Sequence, residues 1–192
     1  MKKIWIVLGV IVLFVLIAYS TVSGKYNQIV TLNESVTSSW AQVENVLQRR
    51  NDLIPNLVNT VKGYAAQERD VFIKVTEARA KVGQAQSIPQ KVEANNELSG
   101  ALSRLLVVAE RYPDLKSNQN FLALQDELAG TENRIAVERK RYNESVQAYN
   151  TTVRRFPTNL IAGMFGYTKE NKYFQAAEGA KEVPQVNFNT QP

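Results

Sequence analysis

The sequence predicts an all-α protein: a membrane-spanning helix at the N-terminus carrying a bundle of long helices. Three observations lead there. Residues 4–24 (IWIVLGVIVLFVLIAYSTVSG) contain no charged side chain. Downstream, apolar residues recur every seven positions over most of the chain. Gly and Pro, the strongest breakers of regular structure, mark the gaps between these periodic stretches.

The apolar run comes first. At about 1.5 Å per helical residue it spans roughly 31 Å, the thickness of a bilayer's hydrocarbon core. A cleaved signal peptide is the rival reading, and Ala18-Tyr19-Ser20 supplies small residues for a cut. The run is long for a signal core, however, and helical patterning resumes at Val22 without a break, which favours a retained anchor over residues 1–24. A lipoprotein is excluded because there is no Cys to acylate. Lys2 and Lys3 precede the run and Lys25 alone follows it closely. Positive residues stay cytoplasmic, so the N-terminus is expected inside and the remaining domain outside a bacterial cytoplasmic membrane, as a single-pass protein.

Composition removes several classes of function. The chain has no His and no Cys. That rules out Ser-His-Asp and Cys-His nucleophile systems, thiol redox chemistry, structural zinc and haem ligation through His or Cys. No EF-hand loop, dense carboxylate cluster or phosphate-cradling glycine loop is present, so no catalytic residue, metal ligand or cofactor is expected. The formal net charge is +5. Its clusters (Arg49-Arg50, Arg139-Lys140-Arg141, Arg154-Arg155) are interleaved with Glu44, Asp52, Glu138 and Glu144. They read as solvated helix faces, and no nucleic-acid partner is expected.

The first helix has two heptad seams. One runs Val22, Ile29, Val36, Val43, Arg50, Leu57, Tyr64, Val71 and Ala78. The other runs Tyr26, Asn33, Trp40, Leu47, Ile54, Val61, Glu68, Val75 and Val82. The phase holds across Pro55, which predicts one helix, kinked at the proline, as far as about residue 82. A reversal at Pro55 into two antiparallel helices is the alternative. Residues 83–89 read as a loop, with Gly83 as stop and Pro89 opening a second helix over 89–111. Tyr112-Pro113-Asp114 breaks that helix. The third runs from 118 to 156, with Phe121, Leu128, Ile135, Tyr142, Tyr149 and Phe156 every seven residues, until Pro157.

Residues 159–167 (NLIAGMFGY) form a short apolar piece. It either folds back on the bundle core or contacts a membrane or partner. From Lys181 the chain is polar, and residues 181–192 are expected to be a disordered tail, leaving the bundle at 25–180. Arg50, Asn33, Glu68, Glu132 and Arg139 fall at core-type seam positions. Burying a charge is costly unless it is paired, so these residues predict interhelical ion pairs that fix register, or a polar ligand pocket. Asn33-Glu34-Ser35-Val36 is echoed by Asn143-Glu144-Ser145-Val146. Tyr-Asn pairs at 26–27, 142–143 and 149–150 place amides beside core-facing rings, able to bond across helices.

Ordered motifs run along almost the whole soluble length. They include Arg49-Arg50-x-Asp52-Leu53-Ile54-Pro55-Asn56-Leu57-Val58, Thr60-Val61-Lys62-Gly63-Tyr64-Ala65, Glu110-x-Tyr112-Pro113-Asp114-Leu115-Lys116, Thr131-Glu132-Asn133-Arg134-Ile135-Ala136 and Tyr149-Asn150-Thr151. In these the chain resembles the LemA family of bacterial membrane-anchored proteins. The resemblance implies a single N-terminal anchor and an up-and-down, mostly antiparallel bundle, favouring four helices. With the heptads, the expected fold is a transmembrane helix followed by an up-and-down antiparallel bundle of three to four long helices. The resemblance implies no reaction.

The expected role is therefore a non-enzymatic, membrane-tethered interaction or scaffold protein of the cell envelope, with the bilayer and an envelope protein as partners. The alternative is a ligand-sensing extracytoplasmic bundle. The heptads fit intramolecular packing and homo-oligomeric coiled coils equally. Irregular segments expose groups to partners. Candidate contact residues are Arg49, Arg50, Asp52, Pro55 and Asn56 at an elbow, Tyr112, Pro113, Asp114 and Lys116 at the break, and Met164 and Phe165 in the apolar piece.

Overall fold

The computed structural model describes residues 2–169 and 173–174, all of them helix or short connection. The tail expected at 181–192, and the end of the domain at 180, lie outside the described residues. The helices are α1 (Lys2–Tyr64), α2 (Arg69–Gln84), α3 (Ile88–Ala109), α4 (Pro113–Lys116), α5 (Gln119–Arg154) and α6 (Thr158–Met164). The long helices form an up-and-down bundle beyond an apolar N-terminal stretch.

The stretch at the start of α1 is long and apolar enough to cross a membrane, with a mean hydropathy of 2.6 and none of it buried. The same helix, 63 residues long in all, continues into the far end of the bundle. Its buried side chains are Ile29, Val43, Leu47, Arg50, Ile54, Leu57 and Val61, all from the two predicted seams. Pro55 lies inside the helix. The chain therefore does not reverse at Pro55, and residues 49–56 are helical throughout. An interior proline costs about 3 kcal/mol. Ile54 and Leu57, on either side, are fully buried, and each such burial is worth roughly 1.5–3 kcal/mol. Packing on both flanks thus offsets the missing bond.

The reversal occurs about ten residues later. α1 ends at Tyr64 rather than near residue 82, and a tight turn follows, in which the Glu68 amide donates to the Ala65 carbonyl at 3.0 Å. Ala65 is fully buried there. The seam could not reveal this turn, because its residues Val71, Val75 and Ala78 on α2 pack on the same core after the chain has reversed. The four long helices implied by the family resemblance are thus α1, α2, α3 and α5.

Interhelical bonds fix the directions. The Asn118 amide donates to Tyr64 Oη at 2.9 Å, Arg49 reaches Glu127 at 2.7 Å, and the Ser39 and Ser145 hydroxyls are 2.8 Å apart. α5 is therefore antiparallel to α1 along its length. Lys91 bonds Glu44, and Gln67 bonds Tyr112, so α3 runs parallel to α1. Lys81 on α2 meets Glu97 on α3 at 2.6 Å across a descending hairpin. The loop and the proline start were expected from the sequence; the structure adds a capping box, in which Ser87 accepts from the Gln90 amide and Gln90 Oε1 accepts from the Ser87 amide, with Pro89 in the first turn.

The core has three sections. At the far end Ile54, Leu57, Val61, Phe72, Val75, Leu98, Leu105, Leu115 and Phe121 form a four-helix core. In the middle Val43, Leu47, Ile135, Tyr142 and Val146 zip α1 to α5. Next to the apolar stretch Ile29, Tyr149 and Val153 meet Ile161 and Ala162 of α6. Gly166, with φ 76, ends α6 in the left-handed region, and Tyr167 then packs against this last section.

Candidate functional site

The predicted contact residues fall at three heights along the α1–α5 pair, and the structure does not gather them into one site. The first height is a polar layer between the middle and far cores. Arg50 is placed there by the α1 seam and is only 2 % exposed. Its Nη1 donates to Glu132 Oε2 at 2.7 Å and to Ser99 Oγ at 3.0 Å. Its Nη2 donates to Asn95 Oδ1 at 3.0 Å and to the Asn95 carbonyl at 3.2 Å. One guanidinium thus ties α1 to α3 and α5 together. Its Nε has no hydrogen-bond partner among the described residues.

Glu132 sits at a core-type position but remains 56 % exposed, at the open edge of the bundle. The charge taken from water is therefore mainly the arginine's, and a half-hydrated carboxylate balances it. This is the interhelical ion pair expected from the seams. Arg139 follows two turns along α5, with its Cζ 5.0 Å from the centre of the Phe174 ring. Burial pushes its guanidinium pKa down, the Glu132 charge opposes that, and the Arg50 charge adds to it. An arginine nonetheless stays charged at physiological pH. Asn95 and Ser99 were missed by sequence reasoning. Both are small polar residues on the core face of α3, where they leave the Leu and Ala pattern undisturbed.

Beside this layer, Arg49 is an exposed partner of Glu127, and Asp52 accepts a bond from Gln48 at 2.8 Å. Asn56 joins Asn59, Thr60, Asn120, Ala123, Leu124 and Glu127 around an open groove of about 450 Å³ between α1 and α5.

The second height is the far corner. Tyr112 caps the one-turn α4, which begins at Pro113. Its hydroxyl accepts from Gln67 at 2.9 Å and donates to Glu68 at 3.4 Å, and Arg111 pairs with Glu68 at 3.1 Å. The α1–α2 and α3–α5 turns are thereby stapled together. Leu115 is buried, while Asp114 and Lys116 face outward, Lys116 pairing with Glu110. Among the described residues, no group of three carboxylates comes together as a metal site would require.

The third height is α6. Thr158, Ile161 and Ala162 are buried, so the apolar piece does fold back on the core. It does so with one side only, leaving Met164 79 % and Phe165 52 % exposed. Beyond α6, Asn143 donates to the Phe174 carbonyl at 3.1 Å and accepts from its amide at 2.9 Å. The Phe174 ring stacks on Trp40 at 5.8 Å and meets Tyr142 edge-on at 5.5 Å. The Asn150 amide donates to Tyr173 Oη, and Tyr149 Oη to the Thr168 carbonyl, each at 3.0 Å. Of the Tyr-Asn pairs, those at 142–143 and 149–150 are therefore the cradle for the segment after α6. Phe174 was missed because Tyr173 and Phe174 stand in an otherwise polar stretch with no apolar periodicity. The repeated amides on α5 were the available signal.

Comparison with known proteins places these features in a family. A family model described as the LemA family matches residues 39–188. The chain is 28 % identical over 190 residues to magnetosome protein MamQ 2 of Paramagnetospirillum magneticum, covering 85 % of this chain and 70 % of the relative. It is 24 % identical over 209 residues to magnetosome protein MamQ of Magnetospirillum gryphiswaldense, covering 94 % and 77 %. Protein LemA of Metamycoplasma hominis is 23 % identical over 175 residues, covering 91 % and 78 %. None of these names specifies a reaction.

Proposed function

The chain belongs to the LemA family, and from that premise we propose that it is a membrane-tethered, non-enzymatic interaction module of the bacterial cell envelope. One observation carries the reading: α1 runs without interruption from the apolar stretch to the far corner. Tyr64 stands roughly 60 Å along the helix from the end of that stretch. No linker lies between anchor and head, so a partner held at the head is held at a set height. The anchor is a single span with the N-terminus in the cytoplasm, as the flanking lysines indicate.

The absence of His and Cys removes imidazole- and thiol-based catalysis from the chain. The four contacts around Arg50 support a structural use of that charge over ligand capture, because every Nη contact is already made within the chain. The far corner and the polar groove around Asn56 are the surfaces offered to a partner.

In-cell amine crosslinking of the full-length protein, followed by mass spectrometry of crosslinked peptides, tests this reading. The expected result is one recurrent envelope protein bridged through Lys62 or Lys116, both exposed near the far corner. Crosslinks confined to the chain itself, or between its own copies, would overturn the adaptor role in favour of self-assembly.

A further inference from the structure

We infer that α6 and its flanks form a second membrane contact, a peripheral foot that enters the headgroup layer of an anionic bilayer beside the span. This rests on the reading of residues 4–24 as a membrane span.

Height is the first argument. α1 is continuous, so Tyr26 stands about 3 Å and Ile29 about 8 Å beyond Gly24 along the helix. The headgroup layer on each side of the hydrocarbon core is roughly 5–7 Å thick. The Phe165 ring centre lies 4.7 Å from that of Tyr26, and Ile161 and Ala162 pack with Ile29. α6 is therefore fixed at the level of the headgroups.

Composition is the second. One side of α6 fills the core, yet the other side is also apolar. Phe156 is 80 % exposed, Leu160 59 %, Met164 79 % and Phe165 52 %. Large apolar side chains exposed elsewhere on the bundle, such as Ile73, Val107 and Leu122, lie far from this end of the chain's fold. A patch of this kind marks an interaction surface, and at this height the bilayer is the apolar surface at hand. Tyr26, Phe165 and Tyr167 supply the aromatic residues favoured at such interfaces.

Charge is the third. Arg154, Arg155 and Lys169, with Asn150, Thr151 and Tyr173, line an open groove of about 450 Å³ next to the apolar patch. Among the described residues none of these three cations has an ion-pair partner, so all three are free to meet an anionic surface. Unpaired cations beside an exposed apolar patch are the chemistry that holds interfacial segments on anionic phospholipid.

The test exploits the absence of Cys. Single-cysteine variants Leu13→Cys, Met164→Cys and Val107→Cys of the full chain carry an environment-sensitive fluorophore. They are reconstituted in vesicles of phosphatidylcholine and phosphatidylglycerol, with quenching by doxyl-labelled lipid and by aqueous iodide. The expected result is strong lipid quenching at 13, several-fold more lipid quenching at 164 than at 107, and iodide quenching at 107 alone. Replacing Arg154 and Arg155 by Gln should move the label at 164 toward water.

A label at 164 quenched by iodide, with that at 13 quenched only by lipid, would overturn the foot and leave the span intact. A label at 164 shielded from both quenchers would also overturn it, a second copy then covering the patch. An iodide-quenched label at 13 would sink the span and the foot together. An unmoved label in the Arg154→Gln/Arg155→Gln variant would overturn the headgroup contact.

Discussion

Arg50 shows how a single charge can specify packing. Its side chain is buried, and its contacts reach α3 and α5 at once. Any slip of one helix past another would strand it. Removing it by Arg50→Ala leaves a cavity and strands Asn95, itself 1 % exposed. The expected loss is about 3–5 kcal/mol, from the cavity and the buried acceptors left without a donor. For a domain of this size that lowers Tm by roughly 6–20 °C. Glu132→Gln keeps an acceptor in place but removes the counter-charge of the buried guanidinium, and should cost about 1–3 kcal/mol. Thermal unfolding of both variants in detergent checks the order; equal losses would show that the layer does not act through the arginine. At this scale the sequence was informative about the charged members. A charge on an apolar seam demands a partner, and Arg50 and Glu132 both announced themselves. Asn95, Ser99 and Phe174 did not, because nothing in a heptad count distinguishes a small polar residue facing the core from one facing water.

At the scale of helices and turns, the contrast between the turns at 65–68 and 85–87 explains what could be read. The second carries explicit local chemistry: Ser87, Gln90 and Pro89 make a helix start wherever they occur. Ser87→Ala should remove one cap bond and cost about 1 kcal/mol. It should lower Tm by about 2–4 °C without changing the helical circular dichroism; no loss would mean that the α2–α3 packing alone sets the turn. The first turn has no such chemistry. Gly63 is its one weak breaker, and Ala65 serves because it is small enough to be buried where the chain reverses. Pro55, the louder signal, is overridden by the burial of Ile54 and Leu57 beside it. The same logic covers α6, where Ile161 and Ala162 made folding back legible while the exposure of Leu160 and Met164 had to come from the structure.

On the scale of the whole molecule, the consequential property is the unbroken course of α1, since it converts an anchored domain into a strut. A soluble domain joined by a flexible linker samples many heights; one whose first helix is also the span samples few. Three packed sections along α1 oppose bending: the α6 contact, the α5 zipper and the four-helix core. The chain lacks Cys, so spin labels can be placed at will. Asn27→Cys and Lys62→Cys lie on exposed positions of α1, and a straight helix separates them by about 53 Å. A reversal at Pro55 would bring them to roughly 30 Å, by the same rise per residue. Pulsed dipolar spectroscopy of the doubly labelled protein in nanodiscs should therefore give one narrow peak near the longer distance. A peak near the shorter value would place the turn at Pro55. A broad distribution would mean that α1 hinges, and the fixed height on which the proposed adaptor role depends would be lost even with every local contact intact.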